Sequence, residues 1–276
     1  MTAMRARELG RTPIVVGDRV GLVGDLTGAV DTLARIVRVE KRATVLRRTA
    51  DDDDPFERIV VANAELLIIV TAVADPEPRT GFVDRCLVAA YAGGLKPVLC
   101  LTKADLADPE PFAAPYRELD LPVIVTRRDQ PPTELAQLLA GRVSALVGHS
   151  GVGKSTLVNK LVPDAALAVG VVSAVGKGRH TTVAAIALPL PLAPDGSPGW
   201  VVDTPGVRSF GLAHVTPDDI PAAFDDLAAA IEDCPRGCGH LGPPADPECA
   251  LDTRVEQGLL RPGRLAALRR VLVALQ

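Results

Sequence analysis

Residues 148–155, Gly148-His-Ser-Gly-Val-Gly153-Lys154-Ser155, follow the spacing G-x-x-x-x-G-K-[ST]. "VSALV" precedes them and "TLVNKLV" follows, so a strand runs into a glycine-rich loop and then a helix. The glycines let the backbone curl until its N–H groups point inward at phosphate oxygens, at the positive end of the helix. Gly148, Ser150, Gly151, Val152, Gly153, Lys154, Ser155 and Thr156 are therefore the candidate cradle for a phosphate chain. In such a loop Lys154 reaches the β and γ phosphates and the Ser155 hydroxyl holds Mg²⁺.

About fifty residues later comes "VVDTPGVRSF". A strand ending at Asp203 brings a carboxylate beside the metal, and Gly206 offers an N–H to the γ phosphate, so this loop tightens with triphosphate and relaxes with diphosphate. Between the two motifs lies "VSAVGKGRHTTV", where Thr181 or Thr182 can supply the second Mg²⁺ hydroxyl. Readily hydrolysing GTPases carry a glutamine just after the glycine to orient water. Here the residue is Val207, which cannot, so hydrolysis is expected to be slow without a partner. His180 is a candidate water-orienting group, and a turn-capping role is open to it as well.

"VLCLTKADL" reads as a strand ending in Thr102-Lys103-Ala104-Asp105. Asp105 can accept hydrogen bonds from the ring N–H and amine of guanine, a pattern that adenine lacks. The Lys103 stem would lie along the base, and Thr126, ending the next strand, could present a backbone N–H to the guanine oxygen. Ligands of open α/β sheets gather at such strand ends. The order is thus base reader, phosphate loop, switch threonine, D-T-P-G: a circular permutation, in which the sheet keeps its contacts while the chain is cut elsewhere. The γ-phosphate-sensing loop then leads straight into the C-terminal segment and is expected to pull on it.

Cys234, Cys238, His240 and Cys249 form a third group. Three thiolates and one imidazole fill a closed tetrahedral zinc shell with no position left for water, which is a structural arrangement. Cys86 and Cys100 are expected in the core.

The elements that must position these groups follow from composition and pattern. At 47% apolar and 23% charged, with only 3% aromatic residues, the 276-residue chain can bury a core of Val, Leu, Ile and Ala. The start "MTAMRARELG" is no secretory signal, and the longest apolar run is too short for a bilayer span, so a cytoplasmic protein without membrane contact is expected. Residues 1–55 alternate apolar and polar as a small β module. Residues 56–213 alternate near-continuous apolar strands with helices, the grammar of a parallel sheet covered on both faces. Residues 214–276 read as helices, with "TPDDIPAAFDDLAAAIED" capped by Thr216. Residues 1–50 carry ten Arg/Lys against five Asp/Glu, and residues 251–276 five against two, leaving −12 for the centre out of a total of −4. Two basic ends suit contact with an RNA backbone, although solvated surface charge explains them too.

Taken together, the chain resembles the RsgA family of small-ribosomal-subunit-dependent GTPases, called YjeQ in some bacteria. The likeness rests on the permuted motif order, "GKGRHTT", "DTPGVRSF", the basic segment ending "VEKRATVLRR" and the zinc cluster followed by "CAL". It implies an α/β fold: an N-terminal OB-type barrel, a permuted P-loop GTPase domain and a helical zinc-binding C-terminal domain. It also implies binding of GTP or GDP, Mg²⁺ and one structural Zn²⁺, rRNA contact, and GTP hydrolysis stimulated by the small subunit during its late maturation; a monomer is expected. The chain departs from the pattern in three ways. Thr102 stands where the family usually has Asn, the zinc ligands are spaced differently, and "MTAMRAREL" resembles the middle of the barrel, so a partial barrel is expected. The competing readings are an RNA-binding assembly protein with a structural nucleotide, a permuted GTPase of the large subunit, and a P-loop ATPase, which Asp105 disfavours.

Overall fold

A computed structural model of the chain describes residues 1–10, 13–48, 58–162, 165, 185–204, 212 and 215–275. Near the N-terminus, β1 (Ala3–Arg5), β2 (Val20–Gly24) and β3 (Ala34–Val39) make a small open sheet of order β1-β3-β2. β4 (Val45–Arg48) and β5 (Arg58–Ala62) pair antiparallel beside it, across residue 55. Arg42 ties this part together, donating from Nε and Nη2 to the two oxygens of Asp18 at 2.7 and 2.9 Å.

The stretch from Arg58 to Val73 is broken at Asn63, whose φ of 56° turns the chain from β5 into β6 (Leu66–Ala72). The sheet then builds through α1 (Thr80–Ala92), β7 (Lys96–Thr102), α2 (Glu110–Arg117), β8 (Val123–Val125), α3 (Thr133–Leu139), β9 (Val143–Val147), α4 (Lys154–Leu161), β10 (Ile186–Pro189) and β11 (Trp200–Asp203). Its order is β10-β11-β9-β6-β7-β8, parallel except for the edge strand β10. β6 is buried along its whole length, as a central parallel strand covered on both faces must be. Its alternate residues serve opposite layers. Leu67 and Ile69 join Val83 and Leu87 of α1, whereas Ile68 and Val70 join Leu135 of α3 and Leu157 of α4.

This order decides where the motifs meet. The chain leaves β6 toward β7 and β8 on one side and returns to place β9 and β11 on the other. β7 and β9 therefore flank the same strand, and the loops after them open onto one crevice, at the point where the winding reverses.

Short helices are expected in the C-terminal segment, with Thr216 capping the first. Thr216 and Asp219 form a reciprocal capping box over a 3₁₀ turn, Pro217–Asp219. A second 3₁₀ turn, Pro221–Ala223, follows before α5 (Asp225–Ile231), because Pro221 has no N–H to continue a helical ladder. α6 (Ala250–Glu256) and α7 (Pro262–Val273) complete the segment. α7 packs on the α1 layer of the large sheet: Leu268 and Val271 share a core cluster with Val83 and Leu87. Two arginines pin it there. Arg264 grips Asp226 through two bonds of 2.7 Å and Asp120 through one of 2.6 Å. Arg270 lies over the Tyr116 ring, with its Nε 3.3 Å from a carboxylate oxygen of Asp84. Cys86 and Cys100 are wholly buried, and burial pushes the Cys100 thiol up to about 12.

Candidate functional site

β9 ends at Val147 and α4 begins at Lys154, so residues 148–153 are the turn between them. Gly148 passes so close to β6 that a Cβ there would stand 2.7 Å from the Val70 carbonyl oxygen. Gly153 caps α4 at φ 91°, a left-handed conformation that side chains resist. The loop is thus forced tightly over the strand ends, and the first N–H groups of α4 have no partner within the helix. Val152 is 2% exposed: its side chain seals the loop from below, leaving only its backbone for a ligand.

A cavity of about 900 Å³ opens over this loop. Gly148, Ser150, Gly151, Gly153, Lys154, Ser155 and Thr156 line one end; Thr102, Lys103, Asp105 and Thr126 line the other. Asp105 and Lys154, 49 positions apart in the chain, face one space. At the loop end the Lys154 ammonium pairs with the Asp203 carboxylate and donates to the Thr204 carbonyl at 2.9 Å. Thr204 is anchored in turn, its hydroxyl donating to Leu146 O at 2.6 Å. Lys154 and Asp203 are therefore held against each other across β9 and β11, and an arriving phosphate competes with Asp203 for the lysine.

At the other end, Asp105 is exposed and accepts the Arg128 N–H at 3.2 Å. That backbone bond, foremost, holds its carboxyl below the usual carboxylate range, so it stays ionised at neutral pH. Lys103, in the left-handed region at φ 58°, donates to the Asp75 carbonyl. The Thr102 hydroxyl donates to Val152 O at 2.5 Å and lies 3.3 Å from Thr71 O, tying the β7 end to the phosphate loop. Thr126 is a correction. Its backbone N–H, expected to face a guanine oxygen, donates instead to Leu101 O at 2.7 Å as the last rung of the sheet. Arg127, the next residue, lines the cavity. Lys160 also lines it and goes unannounced by any motif. His149 of the phosphate loop lines it too, its ring tilted 43° against that of Phe82 with centroids 4.0 Å apart. Burial, and then the charge of Arg79, push the His149 pKa down. His180, Thr181, Thr182, Gly206 and Val207 lie outside the described residues.

The cleft suits a polyanion with a hard cation. Its loop end offers backbone N–H groups and an ammonium, and the Ser155 hydroxyl and Asp203 carboxylate are the oxygen donors that Mg²⁺ prefers.

The Cys/His group lies in the C-terminal segment. One ligand atom each from Cys234, Cys238, His240 and Cys249 falls within 4.8 Å of the others. His240 is 1% exposed and turns Nδ1 toward Cys234 Sγ, 3.5 Å away, while Nε2 bonds Asp218 Oδ1 at 2.7 Å. A carboxylate behind an imidazole in this way fixes the ring and its tautomer for metal binding. Backbone N–H groups of His240 and Ala250 point at Cys238 and Cys234 sulfurs, both at 3.4 Å. Asp246 accepts from the N–H groups of Gly239 and Leu241, each at 2.9 Å, and so holds the ligand loop closed. Burial, and the crowding of neighbouring sulfurs, push the Cys238 thiol up to about 12. A cation at the centre removes that conflict. The donor set fits Zn²⁺ in a closed structural site.

A family model described as RsgA GTPase matches residues 39–213. The small ribosomal subunit biogenesis GTPase RsgA of Pseudomonas putida is 39% identical over 226 residues, 78% of this chain and 63% of its own length. The chain thus spans less than two thirds of that relative. The protein of the same name from Paraburkholderia xenovorans is 37% identical over 266 residues, 93% of this chain and 81% of its own. Among solved structures, YjeQ from Thermotoga maritima superimposes with a TM-score of 0.67 at 28% identity, over 99% of this chain and 89% of that one. YloQ, described as a circularly permuted GTPase, gives 0.64 at 23% identity, over 97% and 82%, and speaks to the fold alone. Among the described residues, no helix is long and apolar enough to cross a membrane.

Proposed function

The chain belongs to the RsgA GTPase family, and from that premise we propose that it hydrolyses GTP to GDP and phosphate in this cleft. The observation that carries the reading is the single cavity lined at one end by Asp105 and at the other by Lys154. Asp105, ionised and oriented by the Arg128 N–H, accepts from the guanine ring N–H and amine. Arg127 takes over from Thr126 as the backbone donor toward the guanine oxygen. Lys154 leaves Asp203 for the β and γ phosphates, which frees that carboxylate and Ser155 to hold Mg²⁺. When bound, the ion supplies neutralisation of charge on the transferring phosphoryl group. Thr181 or Thr182 would complete its shell, Gly206 would sense the γ phosphate, and His180 would orient water in place of the glutamine that Val207 replaces.

The family supports a wider role. Relatives are named as small ribosomal subunit biogenesis GTPases, and the reading here is that this chain acts on the same particle in the cytoplasm, as a monomer, contacting rRNA through its two basic ends. Residues 1–55, an OB-type module, and residues 214–276, with one Zn²⁺, would be the contacting parts, and residues 56–213 the hydrolase. Phosphate release is expected to be slow with the protein alone and strongly accelerated by small subunits. Equal rates would overturn stimulation. No release in either case would favour the reading in which the nucleotide is structural.

A further inference from the structure

α4 begins at Lys154, on the phosphate side of the cleft, and its side chains Leu157, Val158 and Leu161 are locked into the layer beneath the sheet. Six residues on from Lys154, about 9 Å along the axis, Lys160 reaches the opposite end of the same cavity. Its ammonium donates to three carbonyls of one loop: Arg127 O at 3.2 Å, Arg128 O at 2.7 Å and Gln130 O at 2.8 Å. A lysine head has three donors and no acceptor, so this loop takes its full bonding capacity, in charge-assisted bonds.

The loop concerned carries the base end of the site. It follows β8 and has no regular ladder of its own before α3. Its Arg128 N–H orients the Asp105 carboxylate, and Arg127 stands where the Thr126 N–H has been spent on the sheet. Asp105 holds this loop from one side through an N–H, and Lys160 holds it from the other through its carbonyls. We infer that Lys160 is a positioning residue for guanine selection: it sets the 127–130 loop against Asp105 and couples the base-reading end to the helix that starts at the phosphates. This rests on the guanine-nucleotide reading above and adds a residue to it.

The test is titration calorimetry of the full chain with Mg²⁺, comparing wild type with Lys160→Met, which keeps the apolar stem, and Lys160→Arg. The ligands are GDP, ADP and inorganic pyrophosphate. Lys160→Met is expected to weaken GDP on the order of tenfold, to leave pyrophosphate unchanged, and so to shrink the GDP-over-ADP preference by the same factor. Lys160→Arg, still a multiple donor, restores most of it. A Lys160→Met chain that retains the wild-type preference overturns the inference and leaves the guanine reading standing. Equal weakening of GDP and pyrophosphate also overturns it, since that is the signature of a damaged phosphate helix. A wild-type chain that prefers ADP removes the guanine reading, and the inference with it.

Discussion

The nucleotide cleft and the Cys/His cluster are both built from side chains far apart in sequence, but they are finished to different degrees. In the cleft the charged groups lean on substitutes: Lys154 on Asp203 and Lys103 on the Asp75 carbonyl. Each can be exchanged for a ligand atom without leaving a buried charge unpaired. In the cluster the four donors already converge, His240 and Cys249 are almost fully buried, and Asp218 and Asp246 brace the loop from outside. Burying thiols and an imidazole together costs free energy unless a cation sits among them. A site whose partners are replaceable turns its ligand over, and one whose donors are enclosed keeps it.

The largest effect that would break this contrast is metal removal. Structural zinc supplies on the order of 10 kcal/mol of folding free energy. Chelation under reducing conditions should therefore abolish hydrogen-exchange protection in residues 234–273 while β6, β7 and β9 stay protected, and the untreated protein should contain about one zinc per chain. Unchanged protection would sink the structural-metal reading. Next in size, Asp105→Asn should weaken GDP by about a hundredfold, for two lost charge-assisted bonds, with xanthine nucleotides tolerated better. Because Asp105 is exposed and an amide oxygen can still accept from Arg128, the melting temperature should hardly move. A matching loss of stability would mean the cleft is as structural as the cluster. The smallest effect concerns His149. Its folded pKa lies below the ordinary His value, so the unfolded chain binds the extra proton first as pH falls. Stability is full above about pH 6.5 and declines as acidity increases toward the depressed folded value. His149→Gln should flatten that part of a stability–pH curve, and an unaltered slope would detach the Phe82–His149 contact from the titration.

Some of this was legible without coordinates, for reasons that the residues themselves show. Three glycines set around "HS" and "V", or a Thr-Lys-Ala-Asp after an apolar run, restrict backbone and chemistry so tightly that each needs little context. Thr126 shows the limit. That a strand ends there could be read from "VIVTRR", but which of two neighbouring N–H groups faces the sheet depends on pairing phase, and Leu101 on another strand decides it. The Thr216 cap and the break at Pro221 have local reasons, whereas α2, with Pro115 inside it, and the antiparallel edge strand β10 exist because neighbours support them. The C-terminal segment was expected to follow the γ-phosphate loop. α7 is fastened to Asp84 of α1 through Arg270 and to Asp120, just after α2, through Arg264, and a pull from that loop would have to work against these ion pairs.

The sequence by itself determined the ligand chemistry: which side chains can cradle phosphate, read a base or bind a soft cation, and that strands must alternate with helices. These are properties of residue type and short spacing. Only the tertiary structure decided who meets whom. Asp105 shares a cavity with Lys154 because β7 and β9 flank β6, and Lys160 reaches the base loop because α4 spans the cleft; such placements arise from long-range packing, on which no short stretch of chain carries information.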